Sequence, residues 1–185
     1  MNKAVFIDAG HGGIDPGCPL GLKEKEYNLR VAKTLASMLQ ARGYKVEMVR
    51  RDDRSMSLKQ RCQMANGFYQ GNGGIFVSIH HNAANNPTAQ GFEVYHCKGS
   101  RMGLALANAV TDGFKTYLWE WWQANRGVKE DSYYVLLHTK APAVLVECEF
   151  LTGPQLVSMK RDPSLWVCHC AKAITRGIEV FYRGE

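Results

Sequence analysis

No stretch of this chain approaches the roughly 20 consecutive apolar residues that cross a bilayer as a helix, so membrane insertion is not expected. A secretory leader is not expected either. Met1-Asn2-Lys3 runs straight into Ala4-Val5-Phe6-Ile7, too short an apolar run for the h-region of a signal. The expectation is a protein made in the cytoplasm without a signal peptide, or the mature part of a longer secreted chain. The six cysteines, Cys18, Cys62, Cys97, Cys148, Cys168 and Cys170, form no CxxC pair and no small-scaffold framework. They read as reduced packing thiols. Cys168-His169-Cys170 is no chelate, because helical neighbours at i and i+2 diverge. Repeats, low-complexity tracts and long linkers are absent. The glycines after the first apolar run lack the Lys-Ser/Thr of a phosphate-binding loop. Although the net charge is +6, no nucleic-acid recognition motif accompanies it. A wall rich in carboxylates and phosphates would suit that charge equally well, and so would plain solubility.

What is present is a chain of 185 residues, 45% of them hydrophobic, enough for one compact domain spanning 1–185 with a real core. Helical and extended patterns alternate, which predicts an α/β fold: a single three-layer domain with a mostly parallel twisted sheet flanked by helices. Strands are expected at residues 4–8, 45–49, 74–80, 91–96, 133–137 and 143–146. Helices are expected at 25–42, 58–69, 102–117 and 164–182. Residues 75–79, Ile-Phe-Val-Ser-Ile, are continuous enough to be buried on both faces.

Ligands of parallel sheets collect outside the carboxyl ends of the strands. His11 follows the first strand, His80 ends the third, and Glu147 ends the last, so three groups suited to metal chemistry converge on one rim. Two histidines and a carboxylate, with water in the fourth place, form a catalytic zinc set. A further carboxylate can then act as general base. Glu24 and Glu26 both precede the first long helix and could fold over the rim; spacing alone does not choose between them. Asp8 stays open between orienting a ligand and capping its strand. Gly10, Gly12 and Gly13 suit a tight loop.

The motifs in order are specific. Ile7-Asp8-Ala9-Gly10-His11-Gly12-Gly13, Glu24-Lys25-Glu26-Tyr27-Asn28-Leu29, Arg61 through Ala65-Asn66, Ser78-Ile79-His80-His81-Asn82-Ala83, Arg126-Gly127-Val128-Lys129 with Tyr134-Val135-Leu136, and Ala141 to Glu147 together resemble the zinc-dependent N-acetylmuramoyl-L-alanine amidases of the amidase 3 family over nearly the whole chain. That resemblance implies one Zn²⁺ held by His11, Glu24 and His80, with Glu147 as the catalytic glutamate and Glu26 as an ordinary first-turn carboxylate. It implies hydrolysis of the amide between N-acetylmuramic acid and L-alanine in bacterial peptidoglycan. Arg61, Asn82 and His81 are candidates for substrate contact, Arg61 equally for pairing within the fold. The matching biology is a phage or prophage endolysin released by a separate holin and acting on the wall, or the catalytic domain of an autolysin. The competing classes are another zinc peptidase or deacylase on the same scaffold and a non-catalytic wall-binding relative. The chain departs from the family pattern at Glu149, commonly Gly, at Gly153, commonly Asn, and at His81, a slot that is often small. Trp119, Trp121 and Trp122 are a further unexpected feature, suited either to stacking on sugar rings or to packing their loop.

Overall fold

The computed structural model describes residues 3–18, 22–117 and 124–184; the three tryptophans Trp119, Trp121 and Trp122 lie outside them. The elements in chain order are β1 (Ala4–Ala9), α1 (Glu24–Gln40), β2 (Lys45–Met48), α2 (Leu58–Asn72), β3 (Ile75–Asn82), β4 (Phe92–His96), α3 (Arg101–Tyr117), β5 (Asn125–Glu130), α4 (Tyr134–Leu137), β6 (Ala143–Phe150), α5 (Leu156–Arg161) and α6 (Pro163–Arg183). Strand order in the sheet is β2-β1-β3-β6-β4-β5. The first four strands run parallel, β4 is antiparallel to β6, and β5 is parallel to β4. Among the described residues no helix is long and apolar enough to cross a membrane.

Side-chain alternation along each central strand divides the core in two. Val5, Ile7, Ile75, Val77, Val144 and Val146 face one layer together with residues of α1, α3 and α6. Phe6, Phe76, Ala143 and Leu145 face the other, under α2 and α4. Because β1, β3 and β6 are covered on both sides, they read in sequence as unbroken apolar runs. Ser57 caps α2 in a reciprocal capping box with Gln60. Asp162 caps α6 ahead of Pro163 at its first turn.

Two expectations are corrected. Residues 133–137 are not a strand: Tyr134–Leu137 form the helical turn α4. A short apolar run does not reveal its period, and β6, the strand this segment precedes, already has β3 and β4 on its two sides. It buries the adjacent pair Val135 and Leu136 and exposes Tyr134 and Leu137. Conversely, β5 was not expected. Asn-Arg-Gly-Val-Lys-Glu is a half-exposed edge strand and lacks the hydrophobic alternation by which strands are recognised.

Candidate metal centre and active site

Parity along the strands decides what faces the rim. Asp8, Ser78, His80 and Glu147 share the face of Phe6, Phe76 and Leu145, and His80 and Glu147 stand opposite each other in the parallel register of β3 and β6. Asp8, His80 and Glu147 line a cavity of about 510 Å³. Met56 and Leu58 lie along one wall, Tyr133, Tyr134 and Val135 along the other, and His11 and Arg61 also border it. Both strands run a little past the expected ends, to Asn82 and Phe150.

His11 enters from the loop after β1. Its φ of 59° makes it the non-glycine residue with positive φ among those described, a strained conformation of the kind that persists where surrounding structure enforces it. The enforcing contacts are visible. Arg61 donates to the carbonyls of His11, at 2.7 Å, and Ala9, at 2.8 Å. Arg50 donates to those of Ala9 and Gly10, both at 2.9 Å. Gly10 must be glycine, since a Cβ there would lie 2.3 Å from the His80 ring.

Glu24 opens α1 and sits between the two histidines. Its Oε2 is 3.1 Å from His11 Nε2 and its Oε1 3.1 Å from His80 Nδ1. The candidate ligand atoms of His11, Glu24 and His80 all lie within 4.8 Å of one another. Of the two glutamates open at sequence level, Glu24 is buried here, while Glu26 is exposed and pairs with Lys23 at 3.5 Å. His11 Nδ1 meets Asp15 Oδ2 at 2.7 Å; a carboxylate on the far nitrogen fixes the tautomer that leaves Nε2 as a ligand. Asp15 was missed in sequence, where four residues' separation across a glycine loop carries no signal.

The charges are set by this packing. Burial works to lower the His11 pKa, but Glu24 and Asp15 overcome it and push it up to about 9. Burial would raise Glu24, but hydrogen bonds from His11 and His80 hold it far below the carboxylate range. Glu147 is the opposite case. Burial pushes it up to about 7, with His80 pulling the other way and Glu24 and Glu93 adding to the rise. Its Oε2 is buried without a hydrogen-bond partner among the described residues. Two imidazoles, a carboxylate and an unpartnered second carboxyl fit a single borderline-soft divalent ion with a base beside it.

The other candidates fall elsewhere. Asp8 pairs with Arg61 and accepts from Ser78 Oγ at 2.9 Å. Arg61 is almost wholly buried and spends its donors on Asp8, Ala9, His11 and Met56, which is pairing within the fold. Asn82 donates to Glu93 Oε1 at 2.7 Å. His81 is corrected as a substrate contact: one residue along from His80, it faces the opposite core layer, is 2% exposed, and lies outside the cavity lining. It approaches Cys148 and Cys170 there closely enough to suggest a second ligand group. Both its ring nitrogens are already engaged, however, with Asn28 and Trp166.

A family model described as N-acetylmuramoyl-L-alanine amidase matches residues 5–180. The chain belongs to that family. It is 33% identical, over 98% of its length, to the probable cell wall amidase LytH of Staphylococcus aureus, and spans 59% of that relative. Among solved structures it is similar to the amidase AmiC2 of Nostoc punctiforme, at 33% identity, TM-score 0.88 and 98% of each chain. It is similar also to an N-acetylmuramoyl-L-alanine amidase of Clostridium difficile 630, at 33% identity and TM-score 0.89, covering 100% of this chain and 98% of that one.

Within this amidase fold, Gly153 is explained by space: a Cβ would lie 2.0 Å from the Ala89 carbonyl oxygen. Glu149 is not explained by pairing. It is fully buried; Oε1 accepts from the backbone of Gly91 and Phe150, and Oε2 has no partner among the described residues. Burial pushes its pKa from 4.5 up to about 7, against those two backbone donors. The folded state therefore favours the protonated acid. The stabilisation is present below pH ~4.5 and is lost as pH rises through ~7. Glu149→Gln should melt higher than the parent at pH 8, with the gap closing toward pH 5. A gap of about 1–3 kcal/mol is expected, from roughly 1.4 kcal/mol per pH unit between folded and unfolded pKa. Parallel melting curves across that range would contradict this.

Proposed function

We propose that the chain hydrolyses the amide between N-acetylmuramic acid and L-alanine in bacterial peptidoglycan, with His11, Glu24 and His80 holding one zinc ion and Glu147 as general base and acid. The observation that carries the reading is the pairing of His80 with Glu147 across adjacent parallel strands, beside His11 and Glu24. It sets His80 beside the buried Glu147 carboxyl, and both border one cavity together with His11. A zinc ion held by His11, Glu24 and His80 would supply Lewis acidity toward the amide carbonyl and lower the pKa of water from 15.7 to roughly 7.

The protein's own groups account for the rest. Asp15 keeps His11 Nε2 turned inward. Glu147, with its Oε2 unpartnered and its pKa near neutrality, takes a proton from the attacking water and returns it to the departing alanine nitrogen. A base and acid of one group work best when its pKa lies near the working pH. The walls formed by Met56, Leu58, Tyr133 and Tyr134 suit the apolar face of a sugar and the methyl of alanine, and they limit water around the scissile bond. The site of action is the wall, reached after release or secretion.

Digestion of purified peptidoglycan, with chelator and then zinc add-back, tests this. Chelator-sensitive release of N-terminal alanine without new reducing ends is expected. Cleavage at another bond would overturn the substrate. Failure of the folded, zinc-loaded protein to cleave several wall types would overturn hydrolysis in favour of a binding module.

A further inference from the structure

We infer that His81 and Trp166, acting through Asn28, are positioning residues that hold Glu24 in its metal-binding orientation; this rests on the metal site proposed above. Four buried side chains form one directed chain. Trp166 Nε1 lies 3.3 Å from His81 Nε2, His81 Nδ1 2.8 Å from Asn28 Oδ1, and Asn28 Nδ2 3.0 Å from Glu24 Oε1. Their exposures are 1%, 2%, 0% and 5% along the series, so water does not substitute for a missing partner.

The direction follows from the one group whose role has no alternative. An indole N–H only donates. His81 Nε2 must therefore accept, and the proton of the neutral imidazole sits on Nδ1. That proton is donated to Asn28, which turns Oδ1 toward His81 and the amide NH₂ toward Glu24. The same NH₂ is 3.4 Å from the Gly10 carbonyl, a second acceptor that rewards the same orientation. The His81 backbone N–H also donates to Glu24 Oε1, at 3.1 Å. With Oε1 held by these two donors beside His80 Nδ1, Oε2 is left facing His11 Nε2. The opposite tautomer of His81 would turn the Asn28 oxygen onto the carboxylate, placing two acceptors in contact.

The relay joins two helices: Glu24 and Asn28 stand on α1, Trp166 on α6, and the His81 ring lies against Tyr27 and Trp166 between them. A position where the family pattern is often small thus ties the N-terminal turn of α6 to a metal ligand. Groups that orient a ligand are typically worth 10–100-fold in metal affinity.

The test measures zinc affinity by chelator competition, with tautomer state read from histidine side-chain nitrogen NMR of the zinc-free protein. His81 should show the Nδ1–H form. Asn28→Asp, isosteric but without the donor, should weaken zinc by roughly 10–100-fold. His81→Leu should do the same, and His81→Asn, whose amide can reach Asn28, should recover most of the loss. Zinc stoichiometry should be one per chain. If Glu24→Gln loses zinc while Asn28→Asp and His81→Leu bind it as tightly as the parent, the relay is overturned and the site stands. If Glu24→Gln leaves zinc unaffected, the site itself is overturned. An Nε2–H signal for His81, or a second zinc lost with it, overturns the relay independently of any variant. Should His81→Leu fail to fold, Asn28→Asp and the spectrum still decide.

Discussion

Glu147→Gln is expected to lose about 10²–10⁴-fold in turnover, the usual contribution of a positioned general base, while retaining one zinc per chain. Gln has the shape of Glu and cannot take a proton. Glu147 is not one of the three groups that converge within 4.8 Å, and its Oε2 has no hydrogen bond to lose. Since burial already pushes the Glu147 carboxyl toward its neutral form, the neutral amide should not destabilise the fold. The loss should therefore fall on kcat, with KM little changed, because the interaction removed is one made only in the transition state. Steady-state kinetics on soluble wall fragments, with zinc content by elemental analysis, would check it. Near-parental turnover in a zinc-loaded variant would mean that another group moves the proton.

The rim was legible in sequence because strand ends can be located without an alignment. His11 follows the first apolar run, His80 and Glu147 end two others, and a parallel sheet brings such positions together. The same logic stops at residues whose direction depends on a helix or a loop. Glu24 and Glu26 are two residues apart on α1, and only the docking of that helix turns one inward to His11 and His80 and leaves the other with Lys23. Asp15 reaches His11 through a loop held in part by the bridge between Gly12 and Asp15, a geometry that no periodicity announces. For Arg61 both readings were open, and the structure places its guanidinium beneath the loop after β1 rather than free toward a substrate. His81 illustrates the period of two working against a motif: adjacent to His80 in sequence, it belongs to the other layer in space. The segment at 133–137 failed for the reverse reason, since five apolar or aromatic residues suit a strand and a helical turn alike, and β6, the strand it precedes, is already paired on both sides.

Glu24→Gln is expected to weaken zinc by more than the roughly 10–100-fold assigned to an orienting partner, and to change how that affinity depends on pH. In the metal-free protein Glu24 and Asp15 hold His11 protonated up to about 9, and His80 is raised as well, by Glu24 and Glu147 against its burial. Zinc requires both imidazoles neutral, so at pH 7 it must displace at least the His11 proton, which Glu24 and Asp15 retain. Affinity should therefore climb between pH 6 and 9, roughly tenfold per pH unit for each proton displaced. Calorimetry in buffers of different ionisation enthalpy should register proton release. Removing the carboxylate acts on both sides of this competition: one ligand is lost, and the histidine pKa values fall toward their ordinary range. The variant should bind weakly, with a flatter profile above pH 7 and less proton release than the parent, the remainder coming from Asp15 beside His11 and Glu147 beside His80. A variant that kept both the parental affinity and the parental slope would show that Glu24 is neither a ligand nor the group holding those protons. The triad read from the geometry would then have to be replaced.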